Sequence, residues 1–255
     1  MRAVPAASNT LSLVWEGLLD LLYPPHCLLC KLRLEEGSLC AACIKEMQFL
    51  APYRACDRCG DGVEANSTQC EECQTGGFPA FEWSFGVGHY SGRLSQAIRL
   101  LKYGERVALT EPLGRQMALA IVPPYIQRIP LNLHGELEFD DVVPVPLHAS
   151  RYRQRGFNQS ERLALVIARE RGWRLDTMGL RRVRATRAQA SLDKSERGTN
   201  VLGAFEARTA DYFAGRSVLL VDDVLTTMAT VKECASVLKG AGASVVCVAG
   251  LARGG

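Results

Sequence analysis

A chain of 255 residues, 47% hydrophobic and 22% charged, is long enough for one large domain, or for a domain with a small module, and can bury a proper core. Its 23 glycines and 11 prolines fit a turn-rich globular protein. A net charge of only +3 excludes reading partners from the whole-chain balance, so the distribution of charge has to supply them.

Residues 11–23, LSLVWEGLLDLLY, place Leu11, Trp15, Leu18 and Leu22 at helical spacing. This predicts an N-terminal amphipathic helix within residues 1–23, docked on the protein's own core. The run carries Glu16 and Asp20 and is shorter than the roughly 20 residues that span a bilayer. Neither a secretory signal nor stable membrane insertion is expected, and an acidic polar face disfavours surface attachment. The expected location is cytoplasmic.

Residues 24–78 hold eight of the ten cysteines, all in C-x-x-C pairs: Cys27 and Cys30, Cys40 and Cys43, Cys56 and Cys59, Cys70 and Cys73. One knuckle points two thiolates at one ion, and two knuckles complete the tetrahedron that structural Zn²⁺ prefers. Gaps of nine and ten residues between successive knuckles predict two closed sites of four cysteines each. Short loops favour sequential pairing; an interleaved cross-brace is the alternative. A disulfide scaffold conflicts with a cytosolic context, and an iron–sulfur cluster usually has less regular spacing. His26 reads as a neighbour of the first knuckle rather than a ligand. So small a module cannot bury enough apolar surface by itself, so metal is expected to be its core. Cys234 and Cys247 sit singly in apolar runs and read as core packing.

From residue 79 the pattern changes. Strands are predicted over 81–90, 141–146, 217–223 and 244–252, and helices over 93–104, 111–122, 158–172 and 230–243, with 125–138 irregular. Asn158 or Ser160 caps the third helix and Gly172 stops it. Strands and helices alternate at βαβ spacing, which predicts a parallel sheet with helices on both faces and a ligand at the carboxyl ends of its strands.

Residues 151–200 contain thirteen basic and five acidic side chains, a local excess of eight positive charges that suggests an anionic ligand. At 218–230, VLLVDDVLTTMAT, an apolar strand ends in Asp222 and Asp223 and a hydroxyl-rich turn enters a helix. The unpartnered N–H groups of that helix start, with the hydroxyls of Thr226, Thr227 and Thr230, form an anion cradle. Carboxylates one step earlier would repel phosphate but suit ribose hydroxyls or Mg²⁺. A ribose 5-phosphate group fits both halves.

This stretch resembles the phosphoribosyl-pyrophosphate (PRPP) motif of type I phosphoribosyltransferases. Together with residues 141–164 (DVVPVPLHASRYRQRGFNQSERLA), residues 184–205 (RATRAQASLDKSERGTNVLGAF) and the four C-x-x-C pairs, it identifies the chain as resembling the ComF family of competence-related proteins. The resemblance implies a type I phosphoribosyltransferase-like α/β domain over 79–255, preceded by a double zinc ribbon over 24–78. It implies that Asp222 and Asp223 hold ribose hydroxyls and that Leu225, Thr226, Thr227, Met228, Ala229 and Thr230 cradle the 5-phosphate. The turn at Val145 and Pro146 would hold pyrophosphate, with Arg151, Arg153 and Arg155 following. Residues 184–200 would form a flap whose Arg184, Arg187 and Arg197 reach the phosphates. Lys102 and Tyr103 match a further family block to which no role is assigned. The implied cofactors are Zn²⁺ at two structural sites and Mg²⁺ with PRPP. The implied partners are PRPP or another phosphoribosyl ligand, single-stranded DNA and DNA-uptake machinery proteins. Tyr152, Phe157 and Trp173 lie among the arginines and read either as base-stacking residues or equally as core, with core favoured for Trp173. An active phosphoribosyltransferase transferring phosphoribose to an amine or base is the alternative function. Met228 stands where the family motif usually has glycine, so it must fit with negative φ or store about 1–3 kcal/mol of strain.

Overall fold

The computed structural model describes residues 24–47, 56, 63, 67–75, 80–103, 106–121, 131, 135–186 and 200–254. The helix expected over 11–23, Cys59, Arg187 and Arg197 lie outside the described residues.

Two short helices sit in the cysteine region, α1 (Ala41–Glu46) and α2 (Glu71–Gln74), each preceded by a cysteine at its N-cap position, Cys40 and Cys70, of which Cys40 makes a side-chain capping bond. The larger domain runs β1 (Trp83–His89), α3 (Gly92–Tyr103), α4 (Thr110–Ala120), β2 (Asp141–Pro144), α5 (Ala149–Arg155), α6 (Gln159–Arg171), β3 (Arg174–Leu175), β4 (Leu180–Arg182), β5 (Phe205–Ala207), β6 (Ser217–Leu225), α7 (Ala229–Gly240) and β7 (Val245–Arg253).

Five strands pair in the order β1-β7-β6-β2-β3, and every pairing is parallel. The fold is α/β, as expected from the alternation of elements. β4 and β5 form a separate antiparallel pair. The central strands are apolar along their length because both faces are covered. Leu219, Val221, Cys247 and Ala249 join one core with α3, α4 and α6, while Val218, Leu220, Val246 and Val248 join the other with α7 and Phe213. Cys234 and Cys247 are fully buried in these cores.

β6 outruns the expected boundary. The strand does not end at Asp223 but continues to Leu225, because pairing with β7 persists through Val224↔Ala252 and Leu225↔Arg253. Asn158 is the residue that caps α6, its Oδ1 accepting from Ser160 N at 3.1 Å, and Gly172 ends the helix in the left-handed region at φ 71°. Among the described residues no helix is long and apolar enough to cross a membrane.

Candidate functional site

The site begins near the carboxyl end of β6. Consecutive strand residues project to opposite sides, and the two aspartates accordingly find different partners. Asp223 is buried and its Oδ2 lies 2.8 Å from Lys102 Nζ, at the end of α3. Asp222 accepts a hydrogen bond from Ser160 Oγ at 2.9 Å, in the first turn of α6. Burial, and then the charge of Asp223, push the Asp222 carboxyl up to about 7, with Lys102 and the Ser160 hydroxyl opposing. Burial also disfavours the Lys102 ammonium, yet the charge of Asp223 and its hydrogen bond outweigh this and raise it above its usual value.

The turn after β6 is left-handed at Met228, with φ 60° and ψ −3°. Of the two alternatives open to a methionine there, the chain adopts the strained one, at about 1–2 kcal/mol. The side chain is 6% exposed and packs in the α7 core with Val145, Leu225 and Val231. Methionine therefore keeps the backbone shape that glycine would give, and burial of its side chain offsets the strain. Thr227 Oγ1 is buried without a hydrogen-bond partner among the described residues, an orphaned donor in the middle of the expected phosphate cradle. Ala229 begins α7, and Thr230 occupies its first turn. Leu225 presses on Gly250, where a Cβ would stand 2.3 Å from Leu225 Cγ, so the neighbouring strand must carry glycine there.

The turn after β2 lies alongside. Val145 N donates to Val221 O at 2.8 Å, and Asn158 Nδ2 donates to Val145 O at 3.0 Å. One asparagine thus caps α6 and fixes the Val145–Pro146 backbone. His148 caps α5, its Nδ1 accepting from Ser150 N at 3.3 Å.

Arginines gather around these turns without a carboxylate partner for Arg151, Arg155, Arg182 or Arg184 among the described residues. Arg151 Nη2 donates to Thr186 O at 3.4 Å, Arg182 Nη2 donates to the Thr186 hydroxyl, and Arg184 Nη2 donates to Leu202 O at 2.6 Å. Burial, then Arg151 and Arg184, hold the Arg182 guanidinium below its usual value, while Asp222 pulls the other way. Arg155 stands 5.3 Å from the ring centroid of Tyr103 and donates to Gln159 Oε1 at 2.5 Å. Of the two readings open to Phe157 the chain adopts core, at 7% exposure, and Trp173, for which core is the favoured reading, packs edge-on against Phe139 at 5.1 Å.

The cysteines form two clusters. The sulfurs of Cys27, Cys30, Cys40 and Cys43 lie within 4.8 Å of one another, as do those of Cys56, Cys70 and Cys73, with Cys59 outside the described residues. Sequential pairing is therefore what the chain adopts. Cys43 N donates to Cys40 Sγ at 3.3 Å. Burial works against ionisation of Cys27, but backbone N–H groups of Cys30, Cys40 and Leu29 bring its thiol down to about 6, whereas burial and the adjoining sulfurs push Cys43 up. Four thiols this close repel one another once ionised, and a tetrahedral Zn²⁺ is the cation that suits such a donor set.

Residues 18–74 match the family described as the double zinc ribbon domain. Competence protein F of Haemophilus influenzae Rd is 31% identical over 235 residues, covering 89% of this chain and 96% of that protein. The chain belongs to the ComF family. DNA utilization protein YhgH of Escherichia coli K12, another ComF relative, is 31% identical over 232 residues, covering 90% of this chain and 97% of its own. The crystal structure of TT1426 from Thermus thermophilus aligns with 55% of this ComF chain and 72% of its own, at 20% identity and a TM-score of 0.31, a likeness too slight to bear on function.

Several residues of this ComF site were not assigned from sequence: Ser160 on Asp222, Arg182 among the arginines, and the roles of Lys102 and Tyr103. Lys102 did leave a signal. It falls eight residues after Leu94 and four after Ile98, on the stripe that buries Leu94, Ile98 and Leu101. A lysine on a buried stripe calls for an anion.

Proposed function

We propose that this chain acts in DNA uptake or the use of external DNA, handling single-stranded DNA with a domain that also binds PRPP with Mg²⁺. The names of its relatives, Competence protein F and DNA utilization protein YhgH, support the biological setting. The observation that carries the molecular reading is the adjacency of Asp222 and Asp223 to a left-handed, hydroxyl-lined turn with an orphaned Thr227 Oγ1 at the start of α7. In this reading Asp222 and Asp223 hold ribose hydroxyls. Thr226, Thr227, Thr230 and the amides from Met228 onward hold the 5-phosphate, and Val145 and Pro146 face the pyrophosphate. Mg²⁺ would neutralise pyrophosphate charge when bound. Arg151, Arg155 and Arg184, with Arg187 and Arg197 from the flap, extend the grip along a phosphate strand, a sequence-independent attraction that weakens with salt.

The boundaries that suit this reading are the ribbon at 24–78 and the phosphoribosyl-binding domain at 79–255. The site of action is the cytoplasm, beside uptake-machinery proteins. The preserved glycine-like turn at Met228 also favours the second reading, transfer of phosphoribose to an amine or base, in which catalysis is mostly positioning and charge stabilisation.

Titration calorimetry with PRPP–Mg²⁺ and single-stranded DNA binding over a salt series test both. PRPP binding is expected to be lost in the Asp222→Asn/Asp223→Asn variant, while DNA affinity falls steeply with salt in parent and variant alike. DNA binding that is absent, or flat in salt, overturns the DNA reading. Release of pyrophosphate on adding an amine or base would favour the transferase.

A further inference from the structure

We infer that Tyr103 is a stacking platform for an unpaired nucleobase of a DNA strand whose backbone runs over the arginines of α5. This deepens the single-stranded-DNA reading and rests on it.

Two contact paths lead from the acid pair to the same ring. On one side Asp223 holds Lys102 at 2.8 Å, and Tyr103 is the next residue. On the other, Asp222 holds Ser160 at 2.9 Å, and the preceding residue, Gln159, holds Arg155, whose guanidinium lies 5.3 Å from the Tyr103 ring. The circuit closes through α3, α6 and β6 and fixes where the ring sits. Yet Tyr103 is 77% exposed, the most exposed large hydrophobic side chain among the described residues. A largely exposed tyrosine already held beside a guanidinium loses little further freedom on binding a flat partner.

The surroundings favour a strand over a lone base. Tyr152, 47% exposed, precedes Arg155 by three positions on α5, so the two are neighbours on one helix face, about 5–6 Å apart at their Cβ atoms. Tyr103, Arg155 and Tyr152 thus alternate aromatic and cationic groups, the pattern that lets bases stack while phosphates pair. Arg155 has no carboxylate partner among the described residues, which leaves its charge for a phosphate. A pocket for a free acceptor base would enclose its aromatic wall, whereas this ring faces open solvent.

The test is fluorescence anisotropy of the full chain, zinc-loaded, with an oligodeoxythymidine and with an abasic strand of the same length. The parent is expected to bind the base-bearing strand about tenfold more tightly than the abasic one. Tyr103→Ala should cut that preference by at least about threefold, with Tyr152 keeping the remainder, and leave abasic affinity unchanged, while Tyr103→Phe retains it in full. If the parent binds both strands equally, or Tyr103→Ala weakens both alike, the platform is overturned although the DNA reading stands on backbone contacts alone. If the parent binds neither strand, the DNA reading fails and the platform with it.

Discussion

The dipeptide Asp-Asp occurs twice, in neighbouring strands and at opposite ends of the sheet. Asp140 and Asp141 lie at the start of β2, Asp222 and Asp223 near the finish of β6. At the start, everything is answered from within. Asp140 Oδ2 accepts from Ser217 N at 2.7 Å and from its hydroxyl at 2.8 Å, and fully buried Asp141 pairs with Arg216 at 2.8 Å and with Arg174. At the finish, two acids share one lysine and one serine. The hydrogen bonds from Ser217 hold Asp140 below the usual carboxylate range, whereas burial holds Asp222 far above it. Identical residues are thus a clasp at one rim and a reserve of poorly matched charge at the other, which is where an α/β sheet receives ligands.

The largest expected effect tests the clasp. Asp141→Asn leaves two guanidiniums facing a neutral amide and should lower stability by about 3–5 kcal/mol in urea unfolding, with affinity for the proposed ligands unchanged. Loss of ligand affinity without loss of stability would erase the contrast. Met228→Ala should follow, at about 2–3 kcal/mol, because it removes a buried side chain and keeps the strain. Met228→Gly should be about 1 kcal/mol more stable than the alanine variant, since it relieves the left-handed backbone. The reverse order would show that the turn is unstrained.

Lys102→Met should lower stability by about 2 kcal/mol at neutral pH by stripping a buried carboxylate of its counterion. The loss should shrink as the acid pair takes up a proton on acidification. The smallest effects separate the rims by sign. A raised carboxyl contributes stability that is complete below its ordinary value of 3.8 and is lost as pH rises through about 7, so Asp222→Asn should flatten the decline in melting temperature between those limits. A lowered one behaves oppositely: Asp140→Asn should cost about 0.5 kcal/mol at pH 7, given its exposure, and nothing once pH falls well below 3.8.

The sheet was legible because its strands are continuous apolar runs and its helices carry apolar stripes with Asn158 and Gly172 as punctuation. Both cysteine clusters were legible from spacing alone. What escaped was short or depended on distant partners. β3 and β4 have two and three residues, too few for periodicity, and α5 has no buried residue to mark a face. Ser160 is an ordinary first-turn serine until the fold brings Asp222 to it across 62 positions. Phe157 left stacking and core equally open in the sequence; it follows a left-handed Gly156 that ends α5, and it lies in the core.

The first cysteine knuckle does more than close on itself. Cys27, Cys40 and Cys43 share a core with Leu94, Ile98 and Leu101, and Glu46 of α1 holds Arg93 at 2.9 Å. Helix α3 is therefore wedged between the thiol cluster and the sheet, with Lys102 at its tip. Starving the chain of zinc would loosen the wedge, and the counterion of Asp223 would drift with it. Order at the metal knuckle and the position of a lysine some distance away thus rest on one and the same helix.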